Sequence, residues 1–199
     1  MIKFGTGGWR AVIGDDFIAE NIRRVAAGIV LLAKEQNKAS KPIIIGYDRR
    51  FLSEAAAKWV AETLAANGIK VWFMNRSAPT PLVMHTVKAE KLHFGIEITA
   101  SHNPKEYNGY KAYWDDGAQL PPEHADTVSE EINRLDIFKD VKSLDYKSAI
   151  ESGIITLIGA EIDEKYLAEV QKQAVNLKSL LPTLFISSII LILLILVMK

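Results

Sequence analysis

Cysteine is absent from the 199 residues, which excludes disulfides and thiolate metal centres and fits a reducing compartment. An excess of one charge is lacking too. Lys plus Arg and Asp plus Glu number 24 each, so nothing in the overall balance draws the chain toward nucleic acid. The four histidines are scattered and lack metal-ligand spacing. The four tryptophans do not interleave with basic residues, which argues against a stacking platform for single strands. No Gly-Lys-Ser/Thr follows Gly5-Thr6-Gly7-Gly8, which argues against a nucleotide P-loop. The opening residues Met1-Ile2-Lys3-Phe4-Gly5 do not carry the apolar run of a secretory signal, and a cytoplasmic location is the expectation. Internal repeats are missing. Long apolar runs are missing as well until the C-terminus, where Leu180 to Met198 holds no charge between Lys178 and Lys199.

What is present suits a packed core, with 49% hydrophobic and 24% charged residues. Phe17 to Lys38 has the period of an amphipathic helix, with Ile18, Ile22, Val25, Ile29 and Leu32 on one face and Asp15 or Asp16 as a cap. Pro42-Ile43-Ile44-Ile45-Gly46 is continuously apolar, the mark of a strand covered on both faces. Ser53 caps a second helix, which Gly68 ends. Val71 to Met74 is another buried strand. Thr80-Pro81 opens a short helix with Thr80 as N-cap. Phe94 to Ile98 and Tyr110 to Trp114 are strands, and Pro121-Pro122 starts a helix with Ala125, Val128, Ile132 and Leu135 along one side. Alternation of this kind predicts a three-layer α/β/α domain with a mixed, mostly parallel sheet, followed by a helical fragment and an apolar C-terminal helix. In such sheets the working loops lie beyond the carboxyl ends of the strands. Asp48-Arg49-Arg50, Arg76-Ser77 and Ser101-His102 all follow strands, so they should share one rim.

The most informative segment is Thr99-Ala100-Ser101-His102-Asn103-Pro104 with Asn108-Gly109-Tyr110-Lys111 behind it. A serine on a tight turn directly after a buried strand presents its hydroxyl from a rigid base, and Pro104 stiffens the exit. A serine so placed can carry a phosphoryl group or act as a nucleophile, or it can simply hydrogen-bond within its turn. Lys111 can return to the same rim as a proton-transfer group or phosphate partner, or remain a solvated strand lysine. No G-x-S-x-G elbow surrounds Ser101, so a hydrolase triad is not the expectation.

These residues resemble the active-site serine loop of the α-D-phosphohexomutases, the phosphoglucomutase and phosphomannomutase group. Phe4-Gly5-Thr6-Gly7-Gly8-Trp9-Arg10 is similar to that family's opening motif, and Gly46-Tyr47-Asp48-Arg49-Arg50 to its G-x-D-x-R element. The resemblance runs from about Ile2 to about Val175. It implies a phosphoserine at Ser101 that moves a phosphoryl group between the 1- and 6-positions of a hexose phosphate through a hexose bisphosphate. Mg²⁺ is expected on the phosphoserine oxygens of Ser101. Lys111 is implied in proton transfer with the sugar hydroxyl, its protonation state left open. Arg10 is implied in charge neutralisation near Ser101. His102 has two readings, a hydrogen-bonded support or an acid/base, the former favoured. Arg50 either pairs with Asp48 to hold the loop or takes part in catalysis. Thr6, Gly7 and Asn103 support the phosphate loop. Trp9 inclines the reading toward a glucose-type enzyme.

The resemblance divides the chain into a catalytic-serine domain over 1–140, a linker and start of a second domain over 141–178, and the apolar tail over 179–199. The family's D-G-D-x-D-R metal loop, its sugar-specificity loop and its phosphate clamp have no counterpart here, so this polypeptide alone is expected to be close to inactive. At ~1.5 Å per residue, about 19 residues of tail helix would span roughly 28 Å, near the thickness of a bilayer's hydrocarbon core. Two readings of the tail follow. The leading one is a shifted reading frame that happens to encode apolar residues. The other is a membrane anchor through residues 180–198, which makes the functional alternative a membrane-anchored, non-catalytic sugar-phosphate-binding or regulatory module.

Overall fold

The computed structural model describes residues 2–5 and 7–173. Both readings of the tail, and the supporting role expected of Thr6, fall outside those residues.

Residues up to Ile162 form one compact unit, built on a six-stranded sheet. In chain order its elements are β1 (Trp9–Val12), α1 (Ala19–Glu35), β2 (Ile43–Tyr47), α2 (Ser53–Ala66), β3 (Val71–Met74), α3 (Thr80–Ala89), β4 (Gly95–Ile98), β5 (Tyr107–Tyr113), α4 (Pro122–Arg134), α5 (Tyr146–Glu151) and β6 (Ile155–Ile158). A further helix, α6 (Ala160–Lys172), begins at the end of this unit. Across the sheet the strands lie in the order β1-β5-β4-β2-β3-β6.

The mixture of strand directions follows from the connections. A helix links β2 to β3 and β3 to β4, so these three run parallel, and β6 joins them in the same direction beside β3. Between β4 and β5 there is only the serine turn, too short for a crossover, and β5 therefore returns antiparallel. β1 closes the other edge, antiparallel to β5. Helices cover both faces, which explains the apolar run of β2, where all five residues are buried. One face carries Ile45, Ile96, Ile98, Tyr110 and Ala112 into the main core with Ile22, Val25, Ile29 and Leu32 of α1 and with residues of α2 and α4. Val83 and Val87 of α3 cover the opposite face over Gly46 and Gly95.

Three cap assignments need correction. Ile18, not Asp15 or Asp16, precedes α1, because the two acids are spent in a turn whose amides at Asp15 and Phe17 both reach back to Val12. Ser53 is the first residue of α2, and Leu52 ahead of it has a left-handed backbone (φ 63°). The Ser53 hydroxyl is used elsewhere, donating to Asp48 Oδ1 at 2.6 Å and accepting from Asn108 Nδ2 at 2.8 Å. Pro79 rather than Thr80 caps α3. Gly68 does end α2 in a left-handed conformation (φ 77°), as a residue without Cβ can.

The expected linker after residue 140 is also structured. Asp145 caps α5 by accepting from the Ser148 amide at 2.9 Å, and β6 then pairs in parallel with β3, Val71 opposite Ile155. The sheet thus runs past residue 140. Both missed elements are short, six residues in α5 and four in β6.

Candidate active site

Ser101 follows β4 by three residues and is exposed. Its φ is 59°, a left-handed backbone that a side chain makes costly by about 1–3 kcal/mol. The surroundings over-determine it. The Ser101 amide donates to Thr99 Oγ1 at 2.9 Å, and the Asn103 amide donates to the Ala100 carbonyl at 3.1 Å. Arg50 then gathers the whole loop. Its Nη1 donates to the carbonyls of Pro104 (2.8 Å) and Tyr107 (3.0 Å), and its Nη2 to those of Ser101 (2.9 Å) and Asn103 (2.6 Å). Asp48 holds Arg50 in turn, with Oδ2 3.4 Å from Nε and Oδ1 accepting the Arg50 amide at 2.9 Å. Of the two readings of Arg50, the geometry places its guanidinium on the loop backbone.

Asn108 ties the far end of the loop to the same rim, donating to the Phe51 carbonyl at 3.0 Å as well as to Ser53. Gly109 beside it must lack a side chain. A Cβ there would stand 2.6 Å from the Thr99 carbonyl oxygen and 2.8 Å from that of Trp9, because three backbones converge at this point. Arg49 Nε reaches Ser77 Oγ at 3.3 Å, so the loops after β2 and β3 meet as expected.

The register brings the expected cations to one face. Arg10 stands opposite Gly109, Lys111 is two residues farther along β5, and Lys111 is opposite Glu97. Directly paired residues share a face, and so do residues two apart on a strand. Arg10, Lys111 and Glu97 therefore lie together on the α3 side of the sheet, at the end from which the Ser101 loop departs. Gly7 lies beside Arg10, whose Nη1 would be 3.6 Å from a Cβ there, an ordinary contact. Burial, followed by the nearby Arg10 charge, lowers the Lys111 pKa, while Glu97 acts against both. His102 is exposed on the turn, and Asn103 is half-buried with its backbone engaged as described. Beside the loop opens a recess of 530 Å³ lined by Asp48, Arg49, Arg50, Phe51 and Lys105.

Glu97 is the residue that sequence reasoning passed over. It is fully buried, and burial followed by the Asp48 charge raises its carboxyl pKa well above the ordinary range, against the pull of Lys111. A lone acid inside an otherwise apolar, doubly covered strand was the available signal.

Fold and rim together define a three-layer α/β/α domain that presents an exposed serine on a strained, arginine-clamped turn. The model of phosphoglucomutase/phosphomannomutase, alpha/beta/alpha domain I, matches residues 1–137. The chain belongs to that family. It is 35% identical over 174 residues to a phosphoglucomutase of Staphylococcus saprophyticus, a match covering 86% of this chain and 31% of that enzyme. To a phosphoribomutase of Saccharomyces cerevisiae it is 32% identical over 188 residues, covering 90% of this chain and 30% of the relative. The solved open form of the Paramecium phosphoglucomutase pp63/parafusin shares the fold, with a TM-score of 0.70 at 19% identity over 87% of this chain and 35% of that one. The chain thus spans less than a third of the two relatives' length.

Proposed function

We propose that this chain is the phosphoserine-bearing portion of a sugar-phosphate mutase, with Ser101 as the residue that receives and returns the phosphoryl group. The observation that carries the reading is the exposed Ser101 on its φ 59° turn, fixed by four Arg50 hydrogen bonds, at the end of the sheet where Arg10 and Lys111 share a face. Phosphoryl transfer depends chiefly on in-line positioning and on neutralising charge. The turn supplies the first, and Arg10 supplies the second, joined by Lys111 once it holds the proton. The lowered pKa of Lys111 suits an amine that takes the proton from an attacking sugar hydroxyl and returns it in the reverse step. His102, exposed on the turn, is proposed as a support of the loop rather than as its acid or base.

Mg²⁺ would stabilise charge on the phosphoserine oxygens, but the donors of this chain do not complete a site for it. Among the described residues there is no group of three or more His, Cys, Asp or Glu able to hold a metal ion. Asp48 is committed to Arg50 and Ser53, and Glu97 is buried. A phosphate on Ser101 alone leaves most of a hard cation's oxygen shell unfilled.

The sugar is proposed to be a hexose phosphate, exchanged through its bisphosphate, although the yeast relative is a phosphoribomutase. Incubating the chain with glucose 1,6-bisphosphate and reading its intact mass tests the proposal. The expected result is a gain of one phosphoryl group, mapped to Ser101 and abolished in Ser101→Ala. Modification at another residue, or an equal gain in Ser101→Ala, would overturn it. Faster labelling from ribose 1,5-bisphosphate would move the substrate to a pentose and leave the serine assignment intact.

A further inference from the structure

Within β4 the sequence Gly-Ile-Glu-Ile is buried throughout, and Glu97 is its one charged member. Across the sheet Glu97 faces Gly46 on β2 and Lys111 on β5. A Cβ built on Gly46 would stand 2.3 Å from Glu97 Oε2 and 2.5 Å from Val83 Cγ2, so the carboxyl fills the space that this glycine leaves under α3. Both Glu97 oxygens are buried with no hydrogen-bond partner. A carboxyl in that condition is costly unless a charge compensates it or it keeps its proton. Lys111 attracts it from β5 and Asp48 repels it from the end of β2. Tyr107 and Tyr113 on the same side of β5 and Arg10 on β1 are further ionisable groups of this face, while α3 contributes apolar Val83 over Gly46.

We infer that Glu97 is a positioning residue for Lys111, a buried carboxyl on the neighbouring strand whose charge governs how readily the lysine exchanges its proton at the serine rim. The inference builds on the reading of Lys111 as the proton-transfer group. Burial moves the two groups toward each other: it raises the Glu97 pKa and lowers that of Lys111, and each charge opposes the other's drift. The gap between a charged pair and a neutral pair is thereby narrowed. A phosphoryl dianion arriving on Ser101 can then change the state of Lys111 at small cost, with Glu97 as the counterweight.

Competitive acetylation of the full chain across pH, read peptide by peptide, tests this with Lys105 as internal reference. In Glu97→Gln the Lys111 midpoint should shift downward, because the charge that raises it is gone, and Glu97→Asp should restore part of it. Lys105 should not move. A folded Glu97→Gln chain with an unchanged Lys111 midpoint overturns the inference. Should that variant not fold, carboxyl carbon NMR of the unsubstituted chain and of Lys111→Met decides instead. Losing the ammonium should raise the Glu97 midpoint further, and an unmoved Glu97 signal rejects the pairing. Neither readout needs phosphoryl transfer, so the Ser101 labelling above judges the parent reading separately.

Discussion

A guanidinium that donates to four carbonyls of one turn cannot be replaced by a point charge, and Arg50 is in that position. Arg50→Lys keeps the charge beside Asp48 but loses the fork, so the strained Ser101 backbone loses its restraint. The variant should lose about 2 kcal/mol in urea unfolding, the scale of one or two charge-assisted bonds. Phosphorylation of Ser101 should slow at least about tenfold, since such transfer depends on alignment. Wild-type labelling rates in Arg50→Lys would sink the clamp. Glu97 yields a second test at the same scale. A carboxyl with a raised folded-state pKa binds its proton more tightly when folded than when unfolded. Its contribution is fully present below the unfolded value, near 4.3 by ordinary glutamate behaviour, and is lost as pH rises through the folded value. Stability of the unsubstituted chain should therefore fall as pH rises above the ordinary glutamate range and through the raised folded value, and Glu97→Gln should flatten that fall. Urea titrations at several pH values, superimposable for the two proteins, would refute it.

The strands β1, β5 and β4 depend on one another through Gly109. A methyl there meets two backbone oxygens at 2.6 and 2.8 Å, and neither can swing aside as a side-chain tip would. Gly109→Ala should cost about 3 kcal/mol, the upper range for overpacking, and should release the serine turn at its β5 end. Thermal unfolding measures the cost; amide exchange at Thr99 and Tyr110 shows the release. An unchanged melting temperature would mean that the three strands separate without penalty. Sequence pattern made most of this element order legible, because β2 and β3 are continuous apolar runs and the residues buried by α1 recur at helical spacing. It missed β1, whose four residues alternate between buried and half-buried behind a glycine-rich loop. It missed the polar side of the network too. Ser53 read as a cap and Asn108 only as part of the segment behind the serine turn, since nothing in a linear string reveals a hydrogen bond across 55 positions. The serine turn itself was legible from its residues, whereas Arg50's carbonyl contacts required the fold.

At the scale of the whole molecule, the family match ends at residue 137 while the sheet continues to Ile158. β6 lies against β3, and without it the β3 edge would expose a row of unpaired amides and carbonyls, a template for aggregation. Ala149, Ile155 and Ile158 are buried in the same region, and fully burying an isoleucine is worth about 1.5–3 kcal/mol. Tyr146 packs edge-on to Phe73 of β3, and its phenol pKa is pushed up to about 12, first by burial. A polypeptide ending at residue 140 should consequently be less stable than one ending at residue 173 by about 3 kcal/mol or more, allowing two isoleucines and incomplete compensation. It should also scatter light on concentration, whereas the longer polypeptide stays monodisperse. Urea unfolding of the two, read by tryptophan fluorescence, measures the difference. Equal midpoints would place the folding unit's end at the polar stretch after α4 and make α5 and β6 dispensable. Because β3 carries Met74 directly into the Asn75-Arg76-Ser77 loop, fraying at its free edge should reach the rim through the Arg49–Ser77 contact. The shorter polypeptide should therefore lose Ser101 labelling along with stability, although it keeps every residue of the serine turn.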